Sequence, residues 1–356
     1  MNRSKKWALG IVSIIAIVAT GYLITKGPDG IESPRPIKIG FIGPLTGENA
    51  AIGEGIKNAI ALSAKDKNIQ VIYEDDRFDG KLGVAAYHKL RTVDKVDAII
   101  NTTPAVIDAI TPLVKNDPIV IIQIAEPELS ANDTIFQIMP SGAMLYKKLG
   151  GIAKDSYTSF AFVYQEGAAF EKAKDAFKKE YTDSDHLFRE YRVGTSKDYR
   201  AIITKINNEG VAAYTVIGTP SVGSQFIKQA MEQRIQSRLL CNADMEVTIG
   251  EYLKVLPSSA FNDCLSVMFA DRMSTSFKSD YKNQFGTDPG FATDYGFDAV
   301  AILIGTYYKD ILKWADALNH LNFDGASGKV QFNDFGVRIP EIETHIFKDG
   351  KFTNIR

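Results

Sequence analysis

The chain has 356 residues, 45% of them hydrophobic, and its 41 Lys and Arg against 43 Asp and Glu give a net charge of −2. That balance excludes the basic face a nucleic-acid binder needs, and the length exceeds a usual single domain, so two cores are expected. Two cysteines and the scattered His88, His186, His320 and His345 lack zinc spacing, so no metal site is expected, and no cofactor motif is present.

Residues 1–26 differ from the rest. Arg3, Lys5 and Lys6 precede an apolar run over 7–24 that is long enough to cross a bilayer, and the pattern reads as a targeting segment, a signal peptide or a membrane anchor. Ala16, Ala19 and Gly21 offer only a weak cleavage site with Tyr22, Leu23 and Ile24 beyond it, which favours retention as an anchor. The positive cluster keeps the N-terminus inside, so the remainder is expected outside the cytoplasm. Residues 27–36, with Gly27, Pro28, Gly30, Pro34 and Pro36, read as a short stiff tether.

From Ile37 the run IKIGFIGPLTGENAAIGEGIKNAIALS joins a strand suited to burial on both faces, a Gly/Pro loop and an amphipathic helix. This is the opening βα unit of an open parallel sheet, with Gly43, Pro44, Thr46 and Gly47 at the strand's carboxyl end, where such sheets place ligands. The strand followed by GPLTG, a small-residue loop and Gly53-Glu54-Gly55 resembles the extracytoplasmic solute-binding proteins of branched-chain amino acid ABC transporters, type I periplasmic binding proteins of the leucine/isoleucine/valine-binding family. The resemblance runs from about Ile37 to the C-terminus. It implies an α/β fold of two Rossmann-like lobes with parallel sheets, joined by a hinge of three crossovers placed near Pro140, Ala270 and Asp324. Lobe 1 would take 37–140 and 271–324, and lobe 2 would take 141–270 and 325–356. It also implies a non-enzymatic protein whose closing lobes capture a small polar ligand, an amino acid or related carboxylate, for an ABC permease. The alternative is a membrane-anchored sensing or regulatory ectodomain of the same fold.

Along the body, strands are expected over 37–42, 70–73, 98–101, 119–124, 160–164, 188–193, 213–218, 238–242 and 265–269, with helical patterns between them at βαβ spacing. A long helical stretch follows over 294–319. The end of the chain reads as antiparallel strands over 328–333 and 343–347, the second with a Lys348-Asp349-Gly350-Lys351 turn. Cys241 and Cys264 lie beside strand-like runs that could be sheet neighbours, and either pair or remain buried thiols.

Two segments echo each other. DAIINTTPAVIDAITPLV and AAYTVIGTPSVGSQFIKQA both put Thr-Pro at a strand-to-helix turn, so Thr103-Pro104 and Thr219-Pro220 each suit an N-cap and first helical position. Such helix starts offer N–H groups to a carboxylate. The resemblance assigns the ligand carboxylate to Thr102 and Thr103, and it places Ala125 where the family has a threonine, with Gln123 and Glu126 able to compensate. In the second lobe it points to Phe170 at an aromatic position, with Gln165 and Glu166 in the same loop. Asp244 stands at the acid that pairs with an ammonium, and Glu246 is the competing acid. Glu74-Asp75-Asp76 reads as a loop-ordering cluster. No nucleophile elbow, Walker loop or zinc-protease motif is present, and the Gly40, Gly43 and Gly47 spacing departs from the dinucleotide fingerprint.

Overall fold

The computed structural model describes residues 35–125, 133–194, 197–270 and 273–355. The targeting segment 1–26, the tether up to residue 34 and Glu126 lie outside the described residues. Among the described residues no helix is long and apolar enough to cross a membrane.

The first strands are β1 (Ile37–Gly43), β2 (Ile69–Asp75), β3 (Ala98–Asn101), β4 (Val120–Gln123) and β5 (Ile135–Gln137). They form one sheet in the order β2-β1-β3-β4-β5 with every pair parallel. The central strands read as continuous apolar runs because both faces are covered. Ile39, Phe41, Ile100 and Ile122 pack against Ile56 and Ile60 of helix Ala50–Ala64 and Val300 and Leu303 of helix Thr293–Gly305. Ile42, Ile99 and Ile121 face the other way, onto helices Gly80–Lys89 and Pro104–Asn116. Each such buried aliphatic side chain contributes about 1.5–3 kcal/mol. The three-residue β5 is too short to leave a periodic signal in the sequence.

A second unit opens after Pro140. Its strands β6 (Ser159–Gln165), β7 (Leu187–Val193), β8 (Ala213–Ile217) and β9 (Arg238–Leu239) make a parallel sheet in the order β7-β6-β8-β9. The strand expected over 238–242 ends at Leu239 because Asn242 turns away to cap helix Ala243–Val247, its side chain accepting from the Met245 N–H at 3.0 Å. Strand β10 (Leu265–Phe269) lies in a different sheet from β9, and Cys241 and Cys264 join the two regions as a disulfide.

The chain leaves the second unit near 271–272 and re-enters the first. The helix expected over 294–319 is two helices, Thr293–Gly305 and Ile311–Asn319. Thr306 separates them, accepting from Trp314 Nε1 at 3.1 Å, and Asp310 caps the second helix through the Leu312 and Lys313 N–H groups. An antiparallel hairpin follows, β11 (Phe323–Gly325) and β12 (Gly328–Val330). Its turn is anchored by the buried Asp298 carboxylate, which accepts from the Ala326 and Ser327 N–H groups and the Ser327 hydroxyl. Residues 325–339, expected in the second lobe, therefore lie in the first unit. Phe332 packs on Phe136 with ring centroids 5.2 Å apart, and Gln137 bridges Val337. The third passage comes after Ile339, not near Asp324.

The last strands, β13 (Ile342–Lys348) and β14 (Lys351–Asn354), complete an antiparallel sheet in the second unit in the order β10-β13-β14. Asp349 and Gly350 both have positive φ, 51° and 82°, as a two-residue hairpin turn of this twist requires.

Candidate functional site

The carboxyl ends of the first unit's strands bring Gly43, Asp75, Asn101 and Gln123 to one edge. The GPLTG loop there is ordered by Asp75, which accepts from the N–H groups of Leu45 (2.8 Å), Thr46 (3.2 Å) and Arg77 (3.0 Å) and from the Thr46 hydroxyl. Burial alone would push this carboxyl up, but the Thr46 hydroxyl and the three N–H groups outweigh it and hold it below the usual range. Gly53 lets the following helix approach the loop, since a Cβ there would stand 1.9 Å from the Pro44 carbonyl oxygen.

Asp76 is fully buried. One oxygen accepts from the Phe78 N–H at 2.8 Å and the other has no partner among the described residues; burial pushes the carboxyl up, against the lowering effect of the neighbouring Thr103 hydroxyl. Thr103 stands at the N-cap of helix Pro104–Asn116 with extended backbone, yet its hydroxyl caps nothing. The hydroxyl is buried beside Asp76, and the two do not close to a hydrogen bond. Among the described residues, the Thr103 and Ala105 N–H groups have no acceptor.

Thr102 is 7% exposed and gives its N–H to the Ile42 carbonyl at 3.1 Å, with its hydroxyl 3.4 Å from the same oxygen. Asn101 and Gln123 form a buried amide pair. Asn101 Nδ2 donates to Gln123 Oε1 at 2.6 Å and to the Thr103 carbonyl at 2.9 Å, and Gln123 Nε2 donates to the Ala125 carbonyl at 3.3 Å. The structure thus gathers Thr102, Thr103, Gln123 and half-buried Ala125 at one edge, while the Gln123 carboxamide spends its donor and acceptor on neighbours.

In the second unit Thr219 again occupies an N-cap, before helix Pro220–Glu232, without a side-chain cap bond. It is exposed, and its N–H donates to Gln165 Oε1 at 2.8 Å. Gly218, at φ 156°, makes this possible, since a Cβ there would meet Gln165 Oε1 at 2.8 Å. Phe170 is half-buried against the Phe162 and Phe177 core, so part of its ring serves packing. Asp244 is exposed in the first turn of Ala243–Val247 and accepts from the Tyr146 hydroxyl at 2.5 Å. Burial first, and Asp244 second, push the Tyr146 phenol well above its ordinary value. The competing Glu246 is engaged elsewhere, by His345 Nδ1 at 2.6 Å. Tyr146, His345 and the buried state of Asp76 were not legible in the sequence, because each depends on a partner distant along the chain. Among the described residues no group of three or more His, Cys, Asp or Glu could hold a metal ion.

A family model described as periplasmic binding protein matches residues 36–336. No curated protein matches the sequence. A leucine binding protein of Thermotoga maritima is similar in structure, at 17% identity and a TM-score of 0.62, over 90% of this chain and 98% of that one. A solute binding protein of an ABC transporter from Rhodopseudomonas palustris, in complex with 3,4-dihydroxybenzoic acid, is 22% identical over 90% of this chain and 96% of its own, with a TM-score of 0.59. An ABC transporter substrate-binding protein from Desulfitobacterium hafniense in complex with Leu is 17% identical over 90% and 100%, with a TM-score of 0.65. At these identities the likeness carries the fold.

Proposed function

The chain belongs to the periplasmic binding protein family, and from that premise we propose that it is an extracytoplasmic solute-binding protein, not an enzyme, which captures a small carboxylate for an ABC permease. One observation carries the reading within the first unit. The strand-end helix Pro104–Asn116 starts with the Thr103 and Ala105 N–H groups unengaged among the described residues and no side-chain cap. A helix start of this kind favours an anion. The carboxylate is assigned to these N–H groups and the Thr102 hydroxyl; the Thr103 hydroxyl, turned towards Asp76, contributes little. Gln123 holds the edge in shape through Asn101, and Ala125 adds no hydroxyl.

The ligand class follows from the second unit's groups. Phe170 suits an apolar or aromatic body, and Asp244 keeps one oxygen beyond its Tyr146 bond for an ammonium. The relatives in complex with Leu and with 3,4-dihydroxybenzoic acid bracket these two chemistries. The test is a thermal-shift screen of the chain from residue 27 against branched-chain amino acids and benzoates. A true ligand at a hundredfold excess over its dissociation constant stabilises by about 2.7 kcal/mol. No shift with any carboxylate would refute the reading.

A further inference from the structure

We propose that His345 is a positioning residue whose Nδ1–H holds Glu246 and thereby fixes the short helix Ala243–Val247 that presents Asp244; the inference rests on reading Asp244 as ligand-facing. Five residues are too few for a helix to stand by its own hydrogen bonds. This one is pinned at its start by Asn242, whose Nδ2 donates to Thr215 Oγ1 and the Val216 carbonyl, each at 3.0 Å. Its far end is held by the Glu246–His345 bond of 2.6 Å, between side chains only 14% and 16% exposed.

A carboxylate accepts and cannot donate, so this bond requires a proton on Nδ1. The other ring nitrogen faces Glu343 Oε2 at 3.5 Å. Opposite His345 on the flanking strands stand Ser266 of β10 and Asn354 of β14, both uncharged. Glu246 Oε2 is buried with no partner among the described residues. The imidazole is therefore the hydrogen-bonding group that makes burial of this carboxylate tolerable, and it ties the acid-bearing helix to the antiparallel sheet. Losing it leaves a buried charge unpaired and the helix free to fray.

Amide hydrogen exchange on ligand-free protein tests this. His345→Phe should speed exchange over 242–248 by about tenfold or more, while the core of β6 stays as slow as in the wild type. His345→Asn, whose Nδ2 stands in for Nδ1, should restore most of the protection, and nitrogen-15 spectra of the wild-type imidazole should show a protonated Nδ1. Should His345→Phe fail to fold, Glu246→Ala reads the same contact and should speed the same segment. Unchanged exchange over 242–248, or an equal rise throughout β6, would overturn the positioning role. A wild type that binds no carboxylate would sink the functional reading while leaving this exchange result standing.

Discussion

The carboxyl edges of the two parallel sheets carry the same Thr-Pro helix start and surround it differently. In the first unit Thr103 is fully buried, with Asp76, Asn101 and Gln123 buried around it. In the second unit Thr219 is exposed, its N–H tied to Gln165, and the acid Asp244 is exposed as well. The repeated dipeptide sets the backbone of a helix start in both places. The neighbours decide which polar groups stay accessible or unengaged: the Thr103 and Ala105 N–H groups, without an acceptor among the described residues, in the first unit, and an exposed carboxylate in the second. The first edge is thus preorganised by buried polar groups that are costly to disturb, and the second is built from groups that solvent can reach.

The largest expected effect separates the units by their covalent chemistry. Cys241 and Cys264, 23 residues apart in sequence, brace only the second unit, and removing such a cross-link costs about 3 kcal/mol. A chain beginning at residue 27 has Trp314, in the first unit, as its sole tryptophan. Cys241→Ala with Cys264→Ala should therefore lower the far-ultraviolet circular dichroism transition while the tryptophan fluorescence transition moves little. Equal shifts in both signals would show that the units do not unfold separately.

Acid separates the units next. Burial pushes the Asp294 carboxyl of the first unit up to about 6. A carboxyl whose folded value lies above its unfolded one of about 3.9 destabilises the fold when ionised. That cost is fully present above pH about 6 and disappears as pH falls towards about 4. Asp294→Asn should raise first-unit stability at pH 7 by roughly 2–3 kcal/mol and flatten its dependence between pH 4 and 6. In the second unit Asp183 goes the other way, its carboxyl held low by His186 and Lys154, so the support it gives is present at neutral pH and is lost progressively as pH falls from the usual carboxylate range to well below it. Urea denaturation followed by Trp314 fluorescence across this range gives the answer; stability of the first unit rising with pH would contradict it.

Side-chain amides sharpen the comparison further. Gln123→Ala leaves Asn101 Nδ2 with one partner fewer in a dry environment and should cost about 1–3 kcal/mol. Gln165→Ala removes a bond to an exposed N–H that water can replace, and should cost under about 1 kcal/mol. Similar losses in denaturation would mean that the two edges are equally wet.

The sequence carried the parallel sheets well, because Ile37–Gly43, Ala98–Asn101 and Val120–Gln123 are apolar runs bounded by Gly, Pro or polar turns. It misplaced the third passage because β11 and β12 are only three residues each and their loyalty is set by Asp298 and Phe136, far away in the chain. At the candidate site it found the helix starts at Thr103 and Thr219. It could not find that the Thr103 hydroxyl turns towards Asp76, or that Tyr146 and His345 hold the acid-bearing helix, since those partners come from separate elements with no local pattern.

Isothermal titration of the wild type and two single variants with L-leucine, benzoate and 3,4-dihydroxybenzoate tests the central claim most directly. The account predicts saturable binding of at least one carboxylate, weakened about ten- to a hundredfold by Thr102→Ala, which removes a hydroxyl bond to a charged group. Thr103→Ala, whose hydroxyl faces Asp76, should weaken it by less than about threefold. No binding of any carboxylate, or equal affinity in a folded Thr102→Ala variant and the wild type, would contradict it.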